Sequence, residues 1–245
     1  MRLFKLHGLG NDFLVLLDDG SWGPVSAGHA AALCRRDTGV GADGLIRSER
    51  LGGGAVSFAL SNADGSPAEM SGNGARCLGL AAARAGWWED TGRPLVLRTP
   101  VGERRLVADG DGSCGWMVDI GNPHAVALLE GPMPGREELE VVTTADAAPV
   151  NYEFVVRGPE VGAVTMVVHE RGVGWTQACG TGSVAAAWAA HQQGWVGRLV
   201  TVHNPGGSVQ VDLSGPEASL IGPAAFVATV EVAPGFGGAG EGGRP

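Results

Sequence analysis

Long apolar runs are missing from this sequence, and no stretch approaches the ~20 residues that a membrane-spanning helix needs. Aromatic residues make up only 6% of the chain, and 17 basic residues face 26 acidic ones, which gives a net charge of −9. No basic patch with interleaved aromatic residues occurs. The composition therefore excludes membrane insertion and argues against nucleic-acid binding, and it favours a soluble globular protein.

Cysteine pairs are also missing. Four cysteines are spread over 245 residues without a C-x-x-C spacing, and no histidine stands at metal-ligand spacing from them. This pattern favours reduced thiols in the cytoplasm over a disulfide framework, and it predicts no bound metal. We interpret Cys34, Cys77 and Cys114 as packing residues. Residues 1–7 have the pattern of an amphipathic strand and not of a signal peptide.

Glycine, in contrast, is abundant at 42 residues, and two glycine motifs share one form. SGNG at 71–74 and CGTG at 179–182 each place a small nucleophile-type residue before a Gly-x-Gly turn that opens an Ala-rich helix. Unpaired N–H groups at a helix start bind carboxylates, and the same field is expected to lower the pKa of a thiol placed there. Two such starts facing each other would clamp an amino acid's carboxylate and flank its α-carbon.

The predicted elements repeat along the chain. Strands precede and follow a helix near 74–86, and a second series of strands surrounds a helix near 181–193. A further helix is predicted over 26–36, with Ser26 as its N-cap. This order predicts two similar α+β halves with a small-molecule site between them.

Nine short segments of the chain carry a family resemblance. They are HGLGNDF at 7–13, GVGADG at 39–44, NADGS at 62–66, GNGAR at 72–76, GNPH at 121–124, NYEFV at 151–155, ERGVG at 170–174, ACGTG at 178–182 and PGG at 205–207. In these segments and in their order, the chain resembles the diaminopimelate epimerase family of cofactor-independent amino-acid epimerases.

The resemblance implies an α+β fold of two pseudo-symmetric halves, each a mixed or antiparallel sheet around a central helix. The expected halves are 1–118 and 119–225, with a final strand near 226–233 that returns to the first half. The Gly-rich tail, 234–245, is predicted to be disordered. The implied protein is a cytoplasmic isomerase that uses no cofactor, takes a small amino-acid substrate and can form a homodimer.

The resemblance also implies the site residues. Cys179 and Ser71 occupy the two catalytic positions, and His124 and Glu170 are expected to tune the thiol. The implied substrate-binding residues are Asn11, Asn62, Gly72, Asn73, Asn122, Asn151, Glu170, Arg171, Gly180 and Thr181. Their amides suit the ammonium and carboxylate groups of an amino acid, and a guanidinium suits a distal carboxylate.

Three departures from the family pattern affect the functional prediction. Ser71 stands where the family has a cysteine, and an alcohol is a far weaker base than a thiol. Trp175 replaces a glutamate and is expected to alter the pocket rim, and the junction between the halves is short. The leading prediction is interconversion of LL- and meso-diaminopimelate in lysine and cell-wall biosynthesis. A same-fold racemase or isomerase for another amino acid, and a non-catalytic amino-acid-binding relative, remain as alternatives.

Simpler interpretations stay open for several of these residues. Ser71 can be a helix N-cap only, His124 a core histidine, and Glu170 with Arg171 a surface ion pair. The pattern G-x-G-x-x-G at 39–44 matches a dinucleotide fingerprint, but it follows a predicted helix instead of a strand, so we reject that interpretation.

Overall fold

The structure is a computed structural model, and it describes residues 1–89, 93–108, 114–118, 124–145 and 150–237. The chain divides into two compact units. The first unit comprises residues 1–8, 12–114 and the described residues from 224 onward, and the second comprises 9–11 and 115–223. The junction segment 119–123, which includes Asn122, lies outside the described residues.

Strands dominate both units, and helices are few. In chain order the elements are β1 (Arg2–Gly8), β2 (Asn11–Asp18), α1 (Ala27–Cys34), β3 (Gly44–Gly52), β4 (Ala55–Ser57), β5 (Ala59–Asn62), β6 (Pro67–Ala68), α2 (Gly72–Arg84), β7 (Leu95–Thr99), β8 (Gly102–Ala108), β9 (Cys114–Val118), β10 (His124–Leu128), α3 (Arg136–Ala145), β11 (Asn151–Arg157), β12 (Ala163–Glu170), β13 (Gly174–Thr176), α4 (Gly180–Gln192), β14 (Leu199–Asn204), β15 (Gly207–Asp212), β16 (Ala218–Gly222) and β17 (Ala225–Glu231).

The first unit is a mixed sheet. Strand β2 runs parallel to β3, β3 is antiparallel to β4 and β5, β4 is parallel to β7, and β7 is antiparallel to β8. The last strand, β17, pairs antiparallel with β1, from Arg2 opposite Glu231 to His7 opposite Ala225. The N- and C-terminal strands thus lie side by side in this unit.

The second unit repeats the same series of pairings. Strand β10 is parallel to β11, β11 is antiparallel to β12, β12 is parallel to β14, and β14 is antiparallel to β15. Strand β16 extends this sheet beside β15, and the short β13 pairs with the end of β12. The predicted fold class, two similar halves with mixed sheets and a central helix each, is confirmed.

The two central helices, α2 and α4, are made mostly of small residues because strands pack closely around them. Helix α2 buries ten of its 13 residues and contacts β1, β3, β8 and β17. Helix α4 contacts β10, β11, β12, β14, β15 and β16. Alanine and glycine let the surrounding strands approach the helix backbone at the packing density of a protein interior. Arg76 has the largest of the fully buried side chains in the described residues, and it lies in α2.

Local sequence signals missed three features. Helix α3 follows Gly135 and buries Leu139, but its run of Val141 to Thr144 weakens the helical pattern. Leu9 adopts a positive φ of 55°. In the tail, residues 234–237 form a turn, and Phe236 packs against the core beside α1, whereas 238–245 lie outside the described residues.

Within the described part of the chain, no helix is long and apolar enough to cross a membrane.

Candidate active site

Helix α4 begins with a cysteine cap. Cys179 is the N-cap residue, with φ −123° and ψ 118°, and its Sγ accepts a hydrogen bond from the N–H of Gly182 at 3.4 Å. Sγ also lies 3.4 Å from the hydroxyl oxygen of Thr181. The side chain is buried. The thiol therefore stands at the N-terminal turn, where the N–H groups of the helix concentrate partial positive charge.

The carboxyl group of Glu170 faces this thiol. Glu170 ends β12, accepts a hydrogen bond from Oγ1 of Thr176 at 2.5 Å, and lies near enough to Cys179 for its charge to act on the thiol. Burial raises the pKa of Glu170, and the hydrogen bonds from Thr176 and Cys179 oppose that rise. Glu170 is therefore not part of a plain surface ion pair, because its carboxyl group lies at the start of α4.

A second acid and a histidine lie beneath the same helix start. Nδ1 of His124, at the beginning of β10, is 2.7 Å from Oε1 of Glu153 on β11. The two side chains are 3% and 0% exposed, so the pair is shut off from solvent. A Cβ atom at Gly182 would lie 2.6 Å from Oε1 of Glu153, which places this carboxyl group directly against the first turn of α4. His124 is thus both buried and paired.

The expected lowering of the thiol pKa is wrong. Burial raises the pKa of Cys179 above its ordinary value, and the negative charge of Glu170 raises it further. The hydrogen bonds with Thr181 and Gly182 lower it, but by less, and Glu153 adds to the rise. A helix start favours a thiolate only where the desolvation cost of the charge is small, and here it is large.

Helix α2 begins with the same backbone geometry and a hydroxyl group. Ser71 is the N-cap residue, with φ −137° and ψ 127°, and its Oγ accepts a hydrogen bond from the N–H of Gly74 at 3.1 Å. Beneath this start lies an apolar side chain: a Cβ atom at Gly74 would be 3.0 Å from Cδ1 of Ile46. Ser71 is therefore an N-cap in fact, whatever further role it has.

Asn73 is held in place by the buried guanidinium of Arg76. Nη2 of Arg76 donates to Oδ1 of Asn73 at 2.5 Å, and Nη1 donates to the carbonyl oxygen of Gly72 at 3.4 Å. A Cβ atom at Gly8 would lie 3.1 Å from both Nη2 of Arg76 and Cβ of Asn73. The first glycine of the HGLG segment is thus needed for this close approach, and Arg76 fixes a residue that the family resemblance assigns to substrate binding.

The other predicted binding residues lie at element ends. Asn151 begins β11, and its Oδ1 accepts a hydrogen bond from the N–H of Arg171 at 2.9 Å. The side chain of Arg171, just after β12, is exposed. Asn11 begins β2. Asn62 ends β5, and its Nδ2 donates a hydrogen bond to Oγ of Ser66 at 3.0 Å.

The structure groups the predicted site residues by unit. Around the start of α4 in the second unit it gathers His124, Asn151, Glu170, Arg171, Cys179, Gly180 and Thr181. In the first unit, Ser71, Gly72 and Asn73 share the start of α2, and Asn62 lies on β5. Sequence reasoning missed Glu153 and Arg76, although strand alternation in the NYEFV segment and the i, i+3 spacing from Asn73 were signals that could have identified them.

Trp175 lies on the side of β13 opposite Thr176. Its ring packs 6.1 Å from Phe154 and 5.2 Å from His169, centroid to centroid, and Arg136 of α3 stacks over it at 5.4 Å. Phe154 and Trp175 itself belong to the hydrophobic cluster that includes Leu139 of α3. The substitution thus contributes to core packing between β13 and α3. Among the described residues, no cluster of three or more histidine, cysteine or acidic side chains could hold a metal ion.

Solved structures share this fold. A hydroxyproline epimerase from Agrobacterium vitis is 17% identical, with a TM-score of 0.68 over 97% of this chain and 94% of its own. A phenazine biosynthesis protein of the PhzF family from Enterococcus faecalis is 9% identical, with a TM-score of 0.71 over 95% and 98%. At such low identity the likeness concerns the fold alone.

Sequence relatives carry the identification further. The relative from Rhodococcus opacus (strain B4), named diaminopimelate epimerase, is 34% identical over 94% of this chain and 96% of its own length. The one from Mycolicibacterium vanbaalenii, with the same name, is 36% identical over 95% and 97%. Both alignments span 284 positions, more than the 245 residues present here, so these relatives contain residues that this chain lacks.

The fold, with a capping thiol or hydroxyl at each central helix, together with these relatives defines the class: an isomerase, specifically a cofactor-independent epimerase. The sequence profile described as diaminopimelate epimerase matches residues 3–126 and 116–227. The chain belongs to the diaminopimelate epimerase family.

Proposed function

We propose that this protein inverts an α-carbon of diaminopimelate, converting the LL form to the meso form for lysine and cell-wall biosynthesis. The observation that carries the proposal is the buried thiol of Cys179 at the N-cap of α4, where its Sγ accepts a hydrogen bond from the N–H of Gly182 and the nearby charge of Glu170 acts on it. The names of relatives that match nearly the whole chain support the choice of substrate. We expect the protein to work in the cytoplasm, because Cys34, Cys77 and Cys179 are not joined in disulfides.

In the proposed mechanism, the N–H groups at the starts of α2 and α4 bind the α-carboxylate and stabilise the charge that develops when the α-proton leaves. Asn11, Asn62, Asn122 and Asn151 orient the substrate with their amides. Arg171, whose side chain is exposed, binds the distal carboxylate as a two-pronged donor.

Proton transfer is assigned to Cys179 and, on the opposite face of the α-carbon, to Ser71. Cys179 holds its proton in the free protein because its pKa is raised, and as a thiol it can return a proton to the carbanion. To act as a base it first transfers its proton, and we assign the nearby carboxylate of Glu170 as the acceptor. Ser71 is a weak proton donor or positions a water molecule, so the reaction is slow or one-sided.

Ser71 supports a second candidate function. A serine at this helix start alters the chemistry of one face, which suits an epimerase or racemase of the same fold acting on a different amino acid. The two candidates share the exchange of an α-proton with solvent and differ in the substrate. A non-catalytic amino-acid-binding protein would show neither exchange nor inversion.

The test is incubation of the full chain with LL-diaminopimelate in D2O, with α-deuteration and the ratio of LL to meso forms followed together. Deuterium uptake with inversion is the expected result. Uptake without inversion would show that Cys179 works from one face only. Absence of both would refute this substrate, and a panel of other amino acids would then separate a different epimerase from a binding protein. The matched control is Cys179→Ala.

A further inference from the structure

His124 and Glu153 form a buried pair in which each side chain leaves one polar atom without a hydrogen bond among the described residues. Nδ1 of His124 and Oε1 of Glu153 are 2.7 Å apart. Nε2 of His124 and Oε2 of Glu153 are buried, and neither has a hydrogen-bond partner among the described residues. Leaving two polar atoms buried and unpaired costs folding free energy, so such a pair is expected where its charge has a use.

The first unit contains the apolar counterpart of this pair. In the parallel strands β10 and β11, His124 lies opposite Asn151, and two residues further along β11 is Glu153. The equivalent parallel strands β2 and β3 pair Phe13 with Gly44.

Two residues beyond Gly44 on β3 is Ile46. In the first unit, a Cβ atom built at Gly74 would meet the side chain of Ile46. In the second unit, a Cβ atom built at Gly182 would meet the carboxyl group of Glu153 in the same way. The same position in the fold thus holds an aliphatic side chain beneath the serine cap and a carboxyl group beneath the cysteine cap.

We propose that Glu153 is a positioning residue of the active site: its carboxylate accepts a hydrogen bond from Nδ1–H of His124, and its charge, set against the first turn of α4, keeps Cys179 in the thiol form in the free protein. Glu153 thereby adds to the effects of burial and of Glu170 in raising the pH above which Cys179 can act as a base. The inference rests on the proposed function in taking Cys179 as the group that exchanges the α-proton.

The groups that face the start of α4 are consistent with this role. From β12, Glu170 adds negative charge near the thiol, and from β10, His124 faces Glu153. From β14, the neutral amide of Asn204 donates a hydrogen bond through Nδ2 to Oγ of Ser183 in α4. Glu153 is among the groups that raise the pKa of Cys179. Removing one nearby negative charge is therefore expected to favour the thiolate.

The first experiment measures alkylation of Cys179 in the substrate-free protein, with the modified cysteine identified by peptide mass spectrometry. Below the thiol pKa the alkylation rate is proportional to the thiolate fraction. We expect Glu153→Gln to raise the rate at about pH 8 roughly tenfold, which is a pKa lowered by about one pH unit. Glu153→Asp, which keeps the charge, should stay within about twofold of wild type.

Ile46→Val is the matched control in the first unit, and it should leave the Cys179 rate unchanged. The proposal is overturned if Glu153→Gln alkylates no faster than wild type, or if the Asp variant accelerates as much as the Gln variant. The latter result would assign the effect to packing instead of charge. Circular dichroism of each variant checks that the fold is retained.

A second measurement needs no substitution at Glu153. In wild-type protein with ¹⁵N-labelled histidine, the His124 resonances, assigned by their loss in His124→Gln, should show a protonated Nδ1. An unprotonated Nδ1 would contradict the assigned hydrogen bond. Neither measurement uses a substrate, so this inference can fail while the D2O experiment supports the epimerase, and the reverse also holds.

Discussion

The starts of α2 and α4 have nearly the same backbone but differ in what lies beneath them. Ser71 and Cys179 adopt N-cap dihedrals within 14° of each other in φ and 9° in ψ, and each accepts a hydrogen bond from the N–H three residues later. Ile46 lies against Gly74 in the first turn of α2, whereas Glu153 lies against Gly182 in the first turn of α4, where the charge of Glu170 also acts on the thiol.

This difference shows that a cap motif determines where the capping side chain lies, but not how readily that side chain ionises. Both caps are placed by local backbone geometry, which the sequence motif fixes. The ionisation of the capping group depends instead on burial and on charges brought in by other strands. For Cys179 these remote contributions outweigh the helix-terminal field and reverse the expected direction of the pKa shift.

The largest expected effect comes from removing the thiol. Cys179→Ala should reduce α-proton exchange with D2O by at least about a hundredfold, because no other side chain at this helix start is assigned to exchange a proton with the α-carbon itself. Exchange measured by NMR on the full chain is the readout. Exchange that persists in this variant would remove Cys179 from the mechanism.

Making the two caps alike should give the next largest effect. Ser71→Cys places a thiol at the start of α2, where a Cβ atom at Gly74 would meet the apolar Ile46, whereas one at Gly182 in α4 would meet the carboxyl group of Glu153. The inversion rate should rise on the order of tenfold, because a thiol exchanges protons far more readily than an alcohol. An inversion rate equal to or below that of wild type would contradict the role given to Ser71. Ser71→Ala serves as the control for capping.

Adding a methyl group at each helix start probes the space beneath it. A Cβ at Gly182 would lie 2.6 Å from Oε1 of Glu153, whereas one at Gly74 would lie 3.0 Å from Cδ1 of Ile46. Gly182→Ala should lower the free energy of unfolding by about 1–2 kcal/mol more than Gly74→Ala, since overpacking displaces a hydrogen-bonded carboxyl group. Urea denaturation of both variants tests this order, and equal midpoints would argue against it.

The smallest effect is a pH dependence of stability from Glu170. Its pKa is raised by burial, so the folded state binds the proton more tightly than the unfolded state. The free energy of unfolding contributed by this group is therefore greatest at low pH and falls as pH rises through the raised pKa. Glu170→Gln should stabilise the protein above that range and change little below it. Denaturation midpoints measured across pH would refute this if the variant were less stable near neutrality.

Much of the fold could be predicted because its signals are local. The N-cap residues Ser26, Ser71 and Cys179 each begin a helix, and the repeated order of strands and helix predicted the two halves. Helix α3 was missed because Val141 to Thr144 weaken its pattern. The return of the last strand to the first half came from the family resemblance and not from periodicity, and the structure shows that this strand pairs with β1.

The sequence by itself determined which residues cap the central helices, where the glycine turns fall and which family the motifs resemble. These features depend on interactions within a few residues of the chain. Only the tertiary structure decided that Glu153 lies against Gly182, that Arg76 holds Asn73 from a buried position, and that the Cys179 thiol keeps its proton. Burial and charge at a point depend on strands distant in sequence, and their sum is set when those strands pack together.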